Sequence, residues 1–343
     1  MTQRPLLAVT MGDPAGIGPE IAVRALLDPE VRAVSRSFLI GDARVFQRAL
    51  SVCGLSAALN RIPGPEALAD RAGTIDVLHQ DSADPDMLQM GKVQPLGGQA
   101  AYAAIRSAID LAMAGRVDGV ATTPINKESL KAAKIPFIGH TEMFAEHTGA
   151  REEMTMFTIS GLKIFFLTRH LSLLDACRSI TAERVEKGID NCIKALRQLG
   201  LEQPHLAVAA LNPHGGEDGL FGREEIDGIK PAIAAARARG LHVSGPVPAD
   251  SVFHMAKIGR YDAVLSLYHD QGHIAAKMLD FEKTVSVTLG LPILRTSVDH
   301  GTAFDIAGTG KASAVSMIEA IKVAAEYAVR GVRLGETTPA AAA

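Results

Sequence analysis

The chain has 343 residues and a mass of 36.2 kDa, room for two domains and too short for four. Lys and Arg number 35 against 38 Asp and Glu, so no basic excess advertises nucleic-acid binding and no acidic excess predicts disorder. Hydrophobic residues make up 47%, enough to fill cores, while Phe 11, Tyr 4 and Trp 0 exclude a binding surface of stacked aromatic rings.

Along the chain, short apolar runs alternate with longer amphipathic ones. The first run, Leu6–Val9, stops too soon to be the core of a signal peptide. LLAVT (6–10), SFLIG (37–41), TIDVL (74–78) and DGVATT (118–123) read as buried strands. Helical patterns at Gly18–Leu27, Ala43–Cys53 and Gly97–Ala114 separate them. MTMFTIS (154–160) and LKIFFLT (162–168) predict a strand pair joined at Gly161. Helices are expected at Ala182–Leu199, Arg223–Ala238 and Ala312–Val329, and further strands at 205–211, 262–268, 284–290 and 294–298. The alternation predicts an α/β fold with a mainly parallel sheet. The closing GETTPAAAA reads as a disordered tail. No stretch reaches the ~18 apolar residues of a membrane span. Cys53, Cys177 and Cys192 cannot all pair within one chain, so a disulfide framework is excluded and a cytoplasmic location is expected.

Ligands of such sheets lie beyond the carboxyl ends of strands. GDPAGIGPE, TPINK, TRHL, NPHGGE and HDQG each follow an expected strand there. The bland alternative is five polar surface loops. Gly12–Glu20 holds a loose Gly-x-x-x-Gly-x-Gly, not the dinucleotide fingerprint, and reads equally as a tight turn or a ligand contact. His170, His214 and His269 are sharper. Taken singly, each reads as a hydrogen-bonded loop histidine; together they suit a divalent metal, with Asp250 and Asp270 as possible carboxylate partners. His140 and Thr141, in GHTE, and Lys127, Lys277 and Arg295, in otherwise apolar surroundings, have anion-binding character. An unpaired guanidinium at Arg295 would be costly, so a phosphate, a carboxylate or a structural salt bridge is expected there. The loop Asp299–Lys311 is glycine-rich and precedes a helix, a form that can wrap a nucleotide's ribose and adenine.

In order, GDPAGIGPE, GHTE, LNPHGGE, PADS, YHDQG and GLPILRTSVDHGTA resemble the 4-hydroxythreonine-4-phosphate dehydrogenases of pyridoxal-phosphate biosynthesis, over about residues 5–330. HGTAFDIAG is also similar to the NAD-binding loop of isocitrate and isopropylmalate dehydrogenases. The resemblance implies two α/β/α domains with an active-site cleft between them: 1–125 plus 300–343, and 126–299 with the metal and dimer contacts. It implies NAD or NADP at Gly301, Thr302 and Asp305. It implies a divalent metal on His170, His214 and His269, zinc foremost, with magnesium, manganese or cobalt as alternatives. The site is expected to be shared across a homodimer, with no nucleic-acid or membrane partner. Substrate contacts are implied at His140, Thr141, Lys277, Ser286 and Arg295, with Lys277 and Asp250 as catalytic candidates.

The implied reaction oxidises the C3 hydroxyl of a 4-phospho-3-hydroxy acid, 4-phosphohydroxy-L-threonine, and then decarboxylates it. AGTIDVL, LAMAGRVDG, HDQGH and DHGTAFDIAG look more like a subgroup proposed to oxidise D-threonate or D-erythronate 4-phosphate to dihydroxyacetone phosphate and CO2. One departure stands out: Ser286 occupies a position where the family commonly has Asn, and a hydroxyl is shorter and offers one donor instead of two. Read from its residues alone, the chain also suits a metal-dependent phosphohydrolase and, more weakly, a phosphosugar-acid sensor.

Overall fold

The computed structural model describes residues 4–151 and 153–330, and the expected C-terminal tail lies outside them. The strands are β1 (Leu6–Thr10), β2 (Arg36–Gly41), β3 (Ala58–Ile62), β4 (Thr74–His79), β5 (Gly119–Thr122), β6 (Met154–Ile159), β7 (Leu162–Phe166), β8 (Leu206–Ala209), β9 (Val243–Val247), β10 (Ala263–Ser266), β11 (Val285–Leu289) and β12 (Arg295–Val298). Helices fill the intervals, so the fold is α/β. The chain divides into two compact units, one holding the described residues up to Glu153 and from Thr288 onward, the other Met154–Val287.

In the first unit the strands run parallel in the order β3-β4-β2-β1-β5-β12. Leu7, Ala8 and Val9 of β1 are fully buried, as a parallel strand covered on both faces requires. Helices Gly18–Leu27, Ala43–Val52, Pro95–Met113 and Val315–Val329 pack Ile21, Phe46, Ile105 and Met317 into the same core. Local chemistry starts them. Pro19 stands in the first turn of one, and the Asp42 carboxylate accepts from the Arg44 amide (3.0 Å) at the head of another. Helices Lys127–Ala132 and His140–Thr148, which the expected boundaries assign to the second domain, bury Leu130, Met143 and Phe144 in this first core.

The second unit opens with the expected hairpin. β6 and β7 are antiparallel, and Ser160 and Gly161 (φ +47° and +84°) make the reversal. From β7 the order continues β10-β8-β9, all parallel. Its core includes Phe157, Ile164, Phe166, Ala207, Val252 and Val264. Two helices were not anticipated from the sequence: Ala249–Lys257 begins inside PADS, and His269–Leu279 begins inside YHDQG. The expected helix at 223–238 is a π-helical turn, Glu225–Ile229, running into Lys230–Ala238.

Candidate active site

β7, β10 and β8 lie side by side and parallel, so their carboxyl ends open along one edge of the second unit. His170 follows β7, His269 follows β10 and His214 follows β8. The rings of His170 and His269 stand 6.4 Å apart between centroids. His269 donates Nδ1–H to the Asp270 carboxylate (2.7 Å), and His214 donates Nδ1–H to Glu217 (3.0 Å). A carboxylate only accepts, so each neutral ring keeps its lone pair on Nε2, the form in which imidazole binds a metal.

The segment carrying His214 is unusual. Its backbone stays left-handed from His214 to Asp218, with φ of 54°, 71°, 83°, 42° and 50°. Three of these five residues are not glycine, a conformation that costs energy and clusters at working sites. Buried Glu225 anchors the segment, its carboxylate accepting from the Leu211 and Asn212 amides (2.8 and 2.7 Å) and from Asn212 Nδ2 (2.8 Å). Burial pushes the Glu225 carboxyl up, and these bonds outweigh it and hold it below its ordinary value. Among the described residues, no three His, Cys, Asp or Glu side chains come close enough to hold a metal. The donor chemistry of the three imidazoles fits one, and among the described residues they do not close a cage by themselves.

The first unit holds a different feature. Arg295 opens β12 at 4% exposure. Nη1 donates to Thr288 Oγ1 (2.7 Å), Nη2 to Thr122 Oγ1 (2.9 Å), and the guanidinium lies over the Phe144 ring at 5.2 Å. These partners are neutral. Among the described residues no carboxylate pairs with it, so the expected structural salt bridge is not found. Burial pushes the guanidinium down to about 9, still cationic at neutral pH. His140 starts the helix His140–Thr148, with Thr141 next to it. Burial, and then the charge of Arg295, holds the His140 imidazole well below its ordinary value. Its Nε2 is buried without a hydrogen-bond partner. A neutral imidazole and a buried cation without a counter-ion are what an incoming phosphate or carboxylate requires.

The loop Asp299–Lys311 also belongs to the first unit, where it is bonded to the glycine-rich segment after β1. The Ile17 amide donates to the Thr302 carbonyl (3.0 Å), and Glu20 accepts from the amides of Gly308 (2.6 Å) and Gly310 (2.9 Å). Gly12, at φ +69°, has the Pro124 carbonyl 2.3 Å from where a Cβ would stand, so it answers to close backbone packing. Beside the loop runs an apolar cleft lined by Pro14, Pro19, Val45, Leu88 and Met90, with Glu20 and Gly308 at its edge. Of the residues expected to hold a nucleotide, Thr302 is buried, whereas Gly301 and Asp305 are exposed.

Asp250, in the first turn of its helix, lines a surface groove of the second unit together with Tyr268 and Asp270. Lys277 stands in the last turn of His269–Leu279, with Nζ 5.1 Å from the centroid of the Phe281 ring. Ser286 is half-buried in β11. The second unit thus gathers the metal candidates with Asp250, Lys277 and Ser286, and the first gathers His140, Thr141, Arg295 and the loop. Thr122, Thr288, Phe144 and Glu225 escape sequence reasoning, with the threonine pair ending DGVATT as the one signal among them, and Glu20 was legible only as the last residue of GDPAGIGPE.

Known proteins define the class. A protein of Symbiobacterium thermophilum named "Putative D-threonate 4-phosphate dehydrogenase" is 60% identical over 328 residues, covering 96% of this chain and 98% of that one. The solved 4-hydroxythreonine-4-phosphate dehydrogenase of Klebsiella pneumoniae is 42% identical with a TM-score of 0.87, covering 94% of this chain and 99% of that one. A terephthalate 1,2-cis-dihydrodiol dehydrogenase from Burkholderia xenovorans is 30% identical with a TM-score of 0.63, covering 94% and 98%. The molecule is therefore an α/β oxidoreductase of the dehydrogenase class. Residues 33–324 match the family model described as "Pyridoxal phosphate biosynthetic protein PdxA", and the chain belongs to that family. No helix among the described residues is long and apolar enough to cross a membrane.

Proposed function

We propose that this chain oxidises the C3 hydroxyl of a 4-phospho-3-hydroxy acid with NAD or NADP, assisted by a divalent metal, and that the resulting β-keto acid loses CO2. D-threonate 4-phosphate is placed first among substrates, because the relatives at 60% and 56% identity carry that name. 4-Phosphohydroxy-L-threonine, foremost on sequence motifs, is the second reading, supported by the names of the solved relatives. Membership of a family of dehydrogenases weighs against a phosphohydrolase or a phosphosugar-acid sensor.

The observation that carries the proposal is buried Arg295 with hydroxyl partners and, among the described residues, no counter-anion. It binds the substrate's phosphate or carboxylate, and His140 and Thr141 add polar contacts. The apolar cleft that Gly308 lines takes the flat rings of the dinucleotide, and Gly301, Thr302 and Asp305 hold it from the loop. His170, His214 and His269 would hold the metal, zinc foremost. When bound, it would lower the pKa of the substrate hydroxyl and stabilise negative charge on oxygen. Lys277 or Asp250 accepts the hydroxyl proton. The apolar residues flanking these histidines, Leu171, Leu173 and Leu174 after His170, and Leu220 and Phe221 after the His214 turn, are exposed. Exposed apolar side chains beside a site that one chain does not close favour completion by a second copy, a homodimer. The free cysteines suit a reducing cytoplasm.

The test compares NADH production from the two phospho acids by wild type and by Ser286→Asn. D-threonate 4-phosphate should be the better substrate, and the variant should shift the ratio of kcat/KM by about ten- to a hundredfold. Turnover of neither acid would overturn the assignment of substrate class.

A further inference from the structure

We propose that His273 is a positioning residue that fixes the imidazole of His269 for metal binding. This rests on the reading of His269 as a ligand. His273 lies one helical turn beyond His269, and the two rings stack with centroids 3.6 Å apart and planes 11° from parallel. His273 Nδ1 stands 2.8 Å from the His269 carbonyl oxygen. A carbonyl only accepts, so Nδ1 carries the proton and the ring is tethered to the backbone of the residue it stacks upon. Elsewhere the His273 ring meets Phe157 (4.5 Å, 69°) and Phe166 (4.5 Å, 43°), which come from β6 and β7.

Gly272 makes this seating possible. A Cβ there would stand 2.6 Å from Phe166 Cε1 and 2.7 Å from Ser266 Oγ, so only a bare backbone lets the helix rest this close to β7 and β10. The next side chain is thereby delivered against the phenylalanines. His269 is then held in two ways. Asp270 takes its Nδ1–H, and His273 covers one face of the ring. Together they fix both rotation and tilt of the imidazole, and with them the direction of Nε2. Supports of this kind behind a ligand typically contribute 10–100-fold to metal affinity.

Zinc affinity of the purified full-length protein, stripped of metal and titrated in competition with a chromophoric chelator, tests this. His273→Ala should bind zinc about 10–100-fold more weakly. His273→Phe, which keeps a flat ring against His269, should stay within a few-fold of wild type. NAD affinity should be unchanged in both, which separates positioning from general loosening. Wild-type zinc affinity in His273→Ala, or equal losses in the Ala and Phe variants, would overturn the proposal. His269→Ala is measured alongside. If it alone loses zinc, His269 is a ligand and His273 does not position it; if it binds zinc as wild type does, the ligand reading itself fails and the proposal with it.

Discussion

Arg295 is a buried cation held by two threonine hydroxyls and one aromatic face. Such a charge is expensive, and replacing it with an apolar side chain of similar length commonly stabilises a fold. Arg295→Met should therefore keep or raise the thermal midpoint of the ligand-free protein. It should also lower kcat/KM by at least about a hundredfold, since a hydrogen bond to a charged group contributes roughly 1.5–3 kcal/mol and more than one is lost. A lower midpoint with unchanged kinetics, measured by calorimetry and steady-state assay, would make Arg295 structural. Its importance was legible as a lone charge in an apolar stretch. Its partners were not, because Thr122 lies 173 residues away and no local pattern joins the two. The same limit hid Glu225, whose role appears only once the Leu211–Asn212 amides fold back onto it.

Elements with covered faces were readable, and exposed ones were not. β1, β2, β5 and β10 present runs of buried apolar residues. β3 and β9, absent from the sequence reading, each stand at the edge of their own unit's strand order, where ALNRI buries only one residue and VSGPV is broken by Gly-Pro. The helix Gly18–Leu27 was readable, but its work was not. Glu20 accepts the Gly308 and Gly310 amides while Arg24, one turn on, donates to the Gly310 carbonyl (2.8 Å). Glu20→Ala releases two charge-assisted bonds, so KM for NAD should rise about ten- to a hundredfold with kcat little changed. An unaltered KM would separate the loop from dinucleotide binding.

The amino ends of β8 and β9 carry a titratable pair. His205 and His242 stack at 3.6 Å, with Tyr261 edge-on, and His205 Nε2 pairs with Ser244 Oγ (2.8 Å). Burial, then the neighbouring His242, with a smaller effect from Arg237, lowers the His205 pKa against the opposing pull of Asp262. A folded-state pKa below the unfolded value means that the unfolded chain binds the proton more tightly. Stability from His205 is therefore present above the unfolded value of 6.5 and is lost as pH falls below it. Thermal midpoints should drop on acidification through that window, and by less in His205→Gln. Parallel curves for the two proteins would remove His205 as a cause.

At the scale of the whole molecule, the alternation of strands and helices gave the α/β class, and ordered motifs gave the family. The units themselves were less legible, because helices Lys127–Ala132 and His140–Thr148 carry apolar faces that no local signal assigns to one core or the other. The three histidines were readable as strand-end residues. The orientation of His269 by Asp270 and of His214 by Glu217 depends on side-chain placement that spacing does not encode.

The central claim is an oxidation that needs both a dinucleotide and a metal on those histidines. One measurement tests it most directly: NADH and CO2 released from D-threonate 4-phosphate by the purified protein, before chelation, after chelation and after zinc, manganese or magnesium is restored. NADH and CO2 should form in equal amounts, vanish with the metal and return with it. Undiminished turnover after complete metal removal, or phosphate released without NADH, would contradict the account.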